Sequence, residues 1–228
     1  LPLLNLDGIV CFGRVGASPS LMAACAEAGV SISFLSIYGK LQARVLGFTS
    51  GNVLLRREQY RRSDCHESSL KISKSIVLGK IANSRTNLMR SARDSSDPER
   101  EELLRRASLE LKNRLLLVER AGNLDQLRGI EGEAASIYFN VFNSMLIGDP
   151  AMRLNGRSRR PPQDPVNAML SFMYVILSHD IRSACETVGL DSQVGFLHRD
   201  RPGRPSLALD LMEEFRPVLV DRFVITLI

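Results

Sequence analysis

The sequence predicts an α+β fold: a small β-rich N-terminal domain over residues 1–58, then a larger all-helical domain over residues 59–228. Three observations carry this. β-branched and aromatic residues concentrate in the first quarter of the chain. Beyond residue 59 the apolar residues recur at helical spacing. Helix start and stop residues stand at the joints between these periodic runs.

In chain order, "IVCFG" (9–13), "VSISFLSI" (30–37) and "LQARVLGF" (41–48) read as strands, the last two joined by a hairpin turn at "YGK" (38–40). Between the first two lies a short helix. Ser18 caps it, Pro19 fits its first position and Gly29 closes it. The segment 51–62, "GNVLLRREQYRR", is the expected boundary between the domains. Helices follow over 65–93, 101–121, 123–146 and 164–189, with Asp97 before Pro98 as one start signal and Asp164, Pro165 and Gly189 delimiting the fourth. That fourth helix is apolar around most of its circumference and is expected at the core. A last helix starts near Ser206, and Pro217 kinks or ends it. The chain opens on "LPLLNLDGIV" without a methionine and stops inside the apolar run "DRFVITLI". We therefore expect both domains to be truncated, the first at its start and the second at its end.

At 228 residues, with 44% apolar and 24% charged residues, the chain can build a sizeable core. No apolar run is long enough for a membrane span, and no secretory leader opens the chain. Cys11, Cys25, Cys65 and Cys185 lie far apart and form no CxxC pair, which argues for reduced thiols in a cytoplasm, each a small buried hydrophobe. Of the 30 basic residues 25 are arginines, whose planar fork matches phosphate. Aromatic residues are only 6%, with no tryptophan, so contact with a nucleic-acid backbone is favoured over base stacking.

Four segments carry candidate chemistry. In "SLALDLMEEF" (206–215), Asp210 and Glu213 share a helix face while Leu207, Leu211 and Phe215 are expected toward the core. The plainer alternative is a solvated acidic face countered by Arg216 and Arg204. His198 follows the apolar "VGFL" and precedes a Pro/Gly-rich loop, whereas His66 and His179 read as structural. In "RGIEGEAASIYF" (128–139), Gly129 and Gly132 flank Ile130 and Glu131 inside a helical pattern, each at a cost of about 1 kcal/mol relative to alanine. They imply either room for a ligand beside Glu131 or tight helix–helix packing with Glu131 on the rim. Glu131, His198 and an acidic residue of the 210–214 cluster form an oxygen-rich set with one imidazole, suited to Mg²⁺ or Mn²⁺. Arg153, Arg157, Arg159 and Arg160 in one loop, with Arg199, Arg201 and Arg204 in another, supply phosphate contacts, or else merely solubilise those loops.

Taken together these segments resemble the CRISPR adaptation integrase, the Cas-one family. "LPLLNLDGIVCFG", "ASPSLMAACAEAGVSISFL" and "GNVLLRREQY" resemble its β-rich domain. "QLRGIEGEAASIYF", "GRSRRPPQDPVNAMLSFMYVIL" and "VGLDSQVGFLHRDRPGRPSLALDLMEEFRP" resemble its catalytic domain, with wording closest to the subtype I-C branch. The resemblance implies Glu131, His198 and Glu213 as catalytic and metal-binding residues, with Asp210 as a supporting acidic position. It further implies insertion of spacer DNA into a CRISPR array, by attack of a 3′-hydroxyl on a phosphodiester, with Mg²⁺ or Mn²⁺ as cofactor. Implied partners are double-stranded DNA, a second copy of the chain, a Cas-two dimer and Cas-four. Competing readings from composition alone are a non-catalytic arginine-rich DNA-binding protein and a helical interaction scaffold.

Overall fold

The computed structural model describes residues 3–47, 52–158 and 161–228. Strand β1 (Gly8–Phe12) runs parallel to β2 (Ser31–Leu35), and β3 (Leu41–Val45) pairs antiparallel with β2. Helix α1 (Pro19–Glu27) makes the crossover from β1 to β2, since a parallel pair needs a long connection. Ser18 Oγ accepts the Leu21 N–H, and Gly29 takes the left-handed conformation just past the helix end. In the hairpin, Ser36 Oγ accepts the N–H groups of Tyr38 and Lys40, and Gly39 supplies the positive φ the turn requires. Residue 48, the end of the third expected strand, lies outside the described residues.

The boundary segment is not an irregular linker. Residues Val53–Asp64 form helix α2, capped by Asn52, whose Oδ1 accepts from Leu54 and Leu55. Its apolar residues, Val53, Leu54 and Leu55, are consecutive and exposed, so no amphipathic period marks it. The helix braces the segment 191–195. Gln59 Nε2 donates to the Asp191 and Val194 carbonyls at 2.8 and 2.7 Å, and its Oε1 accepts the Asp191 N–H. Ser63 Oγ donates to the Gly195 carbonyl.

Helices α3 (His66–Arg93) and α4 (Pro98–Arg120) pack along one another, joined by four residues that include the Asp97 cap. Helix α5 (Leu124–Asn140) lies against both. It stops short of the expected 146, because Phe142–Met145 tighten into a 3-10 turn that buries Phe142 and Met145. Helix α6 (Pro165–Val188) has the expected Asp164 cap and a left-handed Gly189 at its end. Its Val166, Leu170, Tyr174, Leu177, Ile181 and Cys185 form one buried stripe. It also carries the sheet: Phe172 meets Phe12 with ring centroids 5.6 Å apart, and Arg44 of β3 pairs with Glu186 at 3.2 Å.

Helix α7 (Ser206–Phe215) passes through a π-helical turn (Arg216–Asp221) into α8 (Arg222–Leu227). Pro217 lacks the N–H that an α-helix would use, and the wider turn follows. Asn83 and Asn87 of α3 donate to the Glu214 and Pro217 carbonyls. Phe215, expected in the core, is instead exposed. The buried face of α7 is the one that carries Asp210 and Glu213. All four cysteines are free; Cys25 and Cys185 are buried as expected, whereas Cys65 is exposed at the α2–α3 joint. Among the described residues no helix is long and apolar enough to cross a membrane.

Candidate functional site

A cavity of about 240 Å³ opens within the helical domain, lined by side chains of α3 to α7, of the π-helical turn after α7 and of the loops leading into α6 and α7. Glu131, His198 and Glu213 all line it, with Lys80, Arg204 and Arg216. Glu131 reaches it from α5 together with Ala134, Ala135 and Tyr138, while Glu133 points away to Arg114. Gly129 and Gly132 do not serve tight helix packing. Both are exposed, and a Cβ at either would meet nothing within 4 Å.

Lys80 was not foreseen. Its ammonium bridges the two glutamates: it contacts Glu131 Oε1 and lies 2.6 Å from Glu213 Oε2. Glu213 Oε1 accepts from Arg216 Nη1 at 2.7 Å, and Oε2 is the oxygen that faces the Lys80 ammonium. Burial alone would push the Glu213 carboxyl up, but the Lys80 and Arg216 charges outweigh it and hold the group below its ordinary range. Burial likewise opposes the Lys80 charge, and the two glutamates more than offset it. The visible signal was a lysine on the buried face of α3, in step with Val77, Ile81, Ser84 and Leu88.

Asp210 does not point into the cavity. It is fully buried and clasps the loop that carries His198. Its Oδ2 accepts the N–H groups of Phe196 and Leu197 at 2.6 and 2.9 Å. Its Oδ1 accepts the His198 N–H at 2.9 Å and meets the ring Nδ1 at 2.6 Å. A buried carboxylate here makes Nδ1 the protonated nitrogen and leaves Nε2 with its lone pair. The clasp needs Gly195, where a Cβ would stand 2.8 Å from Asp210 Oδ2 and from Ser206. The plainer reading of the acidic pair as a solvated face fails on this burial, although Arg216 is indeed the counter-charge of Glu213.

Part of the cavity wall is a buried polar cluster. Tyr174 Oη donates to Asp221 Oδ1, and Asn87 Nδ2 donates to Tyr138 Oη. Burial pushes the Asp221 carboxyl up to about 6, against the pull of Tyr174, Arg216 and Lys80. His179 is buried on α6 outside the cavity, consistent with a structural role. Burial, with Arg182 and Arg44 nearby, lowers its pKa.

The arginines divide into two sets. Arg157 is built into the cavity wall, near the faces of Phe139 and Tyr174, with Nη1 donating to Asn167 Oδ1 at 2.6 Å. Arg153 donates to the Asn143 carbonyl. Arg204 lines the cavity, Arg201 is exposed, and Arg199 shares Asp125 with Arg128. Arg128 also donates to the Leu197 carbonyl, beside His198. Arg159 and Arg160 lie outside the described residues.

The fold thus gathers Glu131, His198 and Glu213 around one cavity, yet among the described residues no three His, Cys, Asp or Glu groups are drawn in close enough to hold a metal ion. Lys80 stands between the carboxylates instead. The donors suit a hard divalent cation in kind: two carboxylates that already share one cation, and an imidazole whose tautomer a buried carboxylate sets.

This fold, a small sheet ahead of a helical domain, is shared with solved structures. A Cas1 protein from Thermotoga maritima superposes with a TM-score of 0.82 at 26% identity, over 100% of this chain and 69% of that one. A casposase bound to integration product gives 0.81 at 26% identity, over 98% and 61%. A Cas6-RT-Cas1–Cas2 complex gives 0.78 at 26% identity, over 98% and 24%. The family model for CRISPR associated protein Cas1 matches residues 1–228, and the chain belongs to that family. CRISPR-associated endonuclease Cas1 proteins of Chlorobaculum tepidum and Rhodospirillum rubrum are 48% and 53% identical over 229 and 235 residues. The chain, matched over its whole length, spans 67% of each.

Proposed function

We propose that the chain carries the catalytic domain of a CRISPR adaptation integrase that also acts as a DNA endonuclease, of the subtype I-C kind. The observation that carries this reading is the meeting of Glu131, His198 and Glu213 at one cavity, in a chain of the Cas1 family. Glu131, His198 and Glu213 would hold Mg²⁺ or Mn²⁺, which when bound neutralises charge building up on phosphoryl oxygens.

The other work falls to the chain's own groups. Asp210 keeps His198 in one tautomer and position. Arg204, at the cavity, and Arg199 and Arg201, on the exposed loop, engage the DNA backbone, with Arg159 and Arg160 proposed as further contacts. A 3′-hydroxyl oxygen attacks phosphorus, the bond to the leaving 3′-oxygen breaks as the new bond forms, and the proton passes from the attacking to the leaving oxygen through solvent. With water as the nucleophile, the same geometry gives strand cleavage. Two ends must be joined, so we propose that two copies act together on a Cas2 dimer, with Cas4 as a further partner. The relatives' complex with Cas2 and the casposase holding integration product support Cas2 and DNA as partners.

His198→Ala in the full-length protein tests the reading. Metal-dependent strand transfer is expected to disappear while DNA retention at low salt persists. Normal joining by this variant overturns the ligand assignment.

A further inference from the structure

Two carboxylates from different helices share one cation that comes from a third. Glu131 (α5) and Glu213 (α7) both contact the Lys80 ammonium (α3), and the side chains are 24%, 5% and 13% exposed respectively. Without that cation the two would repel at short range in a poorly solvated place.

We propose that Lys80 is a resident counter-ion which holds Glu131 and Glu213 together in the metal-free protein and must withdraw before a divalent cation can bind, so that metal affinity is set by competition with a side chain. This rests on the reading of the two glutamates as metal ligands. The local charges argue for exchange rather than coexistence. The four charges in direct contact, Glu131, Glu213, Lys80 and Arg216, sum to zero, and the Asp221 carboxylate that lines the same cavity is offset by Arg157 and Arg204, so a divalent cation added to the intact set stays uncompensated.

Of the two cations that contact Glu213, only one is built to leave. Arg216 is fixed by its hydrogen bond to Glu213 Oε1 and by its position 5.0 Å over the Tyr174 ring. Lys80 is a point charge on a flexible four-carbon stem, and among the described residues its ammonium engages only the two glutamates. The cavity beside it gives the stem room to swing. The same exchange keeps the site folded and quiet until metal arrives, because Lys80 and the ion make the same demand on both carboxylates.

Mn²⁺ titration of the full-length protein by calorimetry, without DNA, tests this alongside thermal melting in EDTA. Lys80→Met is expected to bind Mn²⁺ about tenfold or more tightly than wild type, because a like charge at contact distance has gone. Its EDTA form is expected to melt lower than wild type, with the gap closing as Mn²⁺ saturates. Lys80→Arg keeps the charge and grips both carboxylates with a planar fork. It is expected to fold normally in EDTA and to bind Mn²⁺ more weakly than wild type. Equal or weaker Mn²⁺ binding by Lys80→Met, or tighter binding by Lys80→Arg, overturns the competition. Glu131→Gln separates the two layers. If it weakens Mn²⁺ binding while Lys80→Met does not tighten it, the ligands stand and the lysine's role falls. If it leaves Mn²⁺ binding unchanged in both the wild-type and Lys80→Met proteins, the ligand assignment falls and takes the competition with it.

Discussion

Asp210→Asn isolates what one buried carboxylate does for His198. In the wild type two oxygens serve four donors: the N–H groups of Phe196 and Leu197 on Oδ2, and the N–H and Nδ1 of His198 on Oδ1. Asparagine keeps one carbonyl oxygen and places an NH₂ donor where the other stood. With the carbonyl on the Oδ2 side, the new donor faces the His198 N–H, and one buried backbone N–H goes unpaired, at about 1–3 kcal/mol. The remaining bonds lose their charge assistance, so we expect a total of about 3–5 kcal/mol of lost stability. The ring nitrogen facing the amide must now accept, which moves the proton to Nε2. The nitrogen left free in the wild type then becomes a donor and cannot ligate. Urea denaturation reads the stability, and nitrogen-15 chemical shifts of the histidine read the tautomer. The expected result is a lower midpoint, a His198 protonated at Nε2 and loss of strand transfer. A variant within about 1 kcal/mol of wild type that still carries its proton on Nδ1 refutes the clasp.

Asp221→Asn addresses the buried acid in the cavity wall. The folded carboxyl ionises at about 6 against an ordinary 3.8, so the folded state holds a proton that the unfolded chain has released between those values. Stability from this group therefore falls as pH rises from about 4 to 6, by up to about 3 kcal/mol, and stays low above. The asparagine variant is expected to lack that decline and to match or exceed wild-type stability at pH 7.5; urea titrations across pH that leave the decline intact would assign it elsewhere. Gly129→Ala with Gly132→Ala is expected to raise stability by about 1 kcal/mol per site, since neither methyl meets another atom within 4 Å. Urea denaturation that shows no gain would mean that this face of α5 is covered rather than open.

Much of the fold was legible because helix and strand signals act over a few residues. Ser18 with Pro19, Asp97 with Pro98, and Asp164 with Pro165 and Gly189 mark ends that the structure reproduces, since each cap is a hydrogen bond or backbone preference within one turn. Helix α2 escaped because Val53, Leu54 and Leu55 stand side by side rather than at helical spacing. The end of α5 was misplaced because Phe142 and Met145 continue the apolar period while the chain tightens to bury them.

The candidate residues Glu131, His198 and Glu213 were readable by type and by resemblance to family motifs. Their meeting was not, because it depends on partners far apart in the chain. Lys80 lies 51 residues from Glu131, and Gln59 lies 132 residues from the Asp191 loop it braces. Only packing decided that the acidic face of α7 turns inward, that Asp210 serves the histidine while Glu213 serves the cavity, and that a lysine occupies the ground between two carboxylates. A local pattern fixes which way a side chain leaves its own helix. What it then touches is set by how the helices bury their apolar stripes against one another, and that is a property of the whole domain.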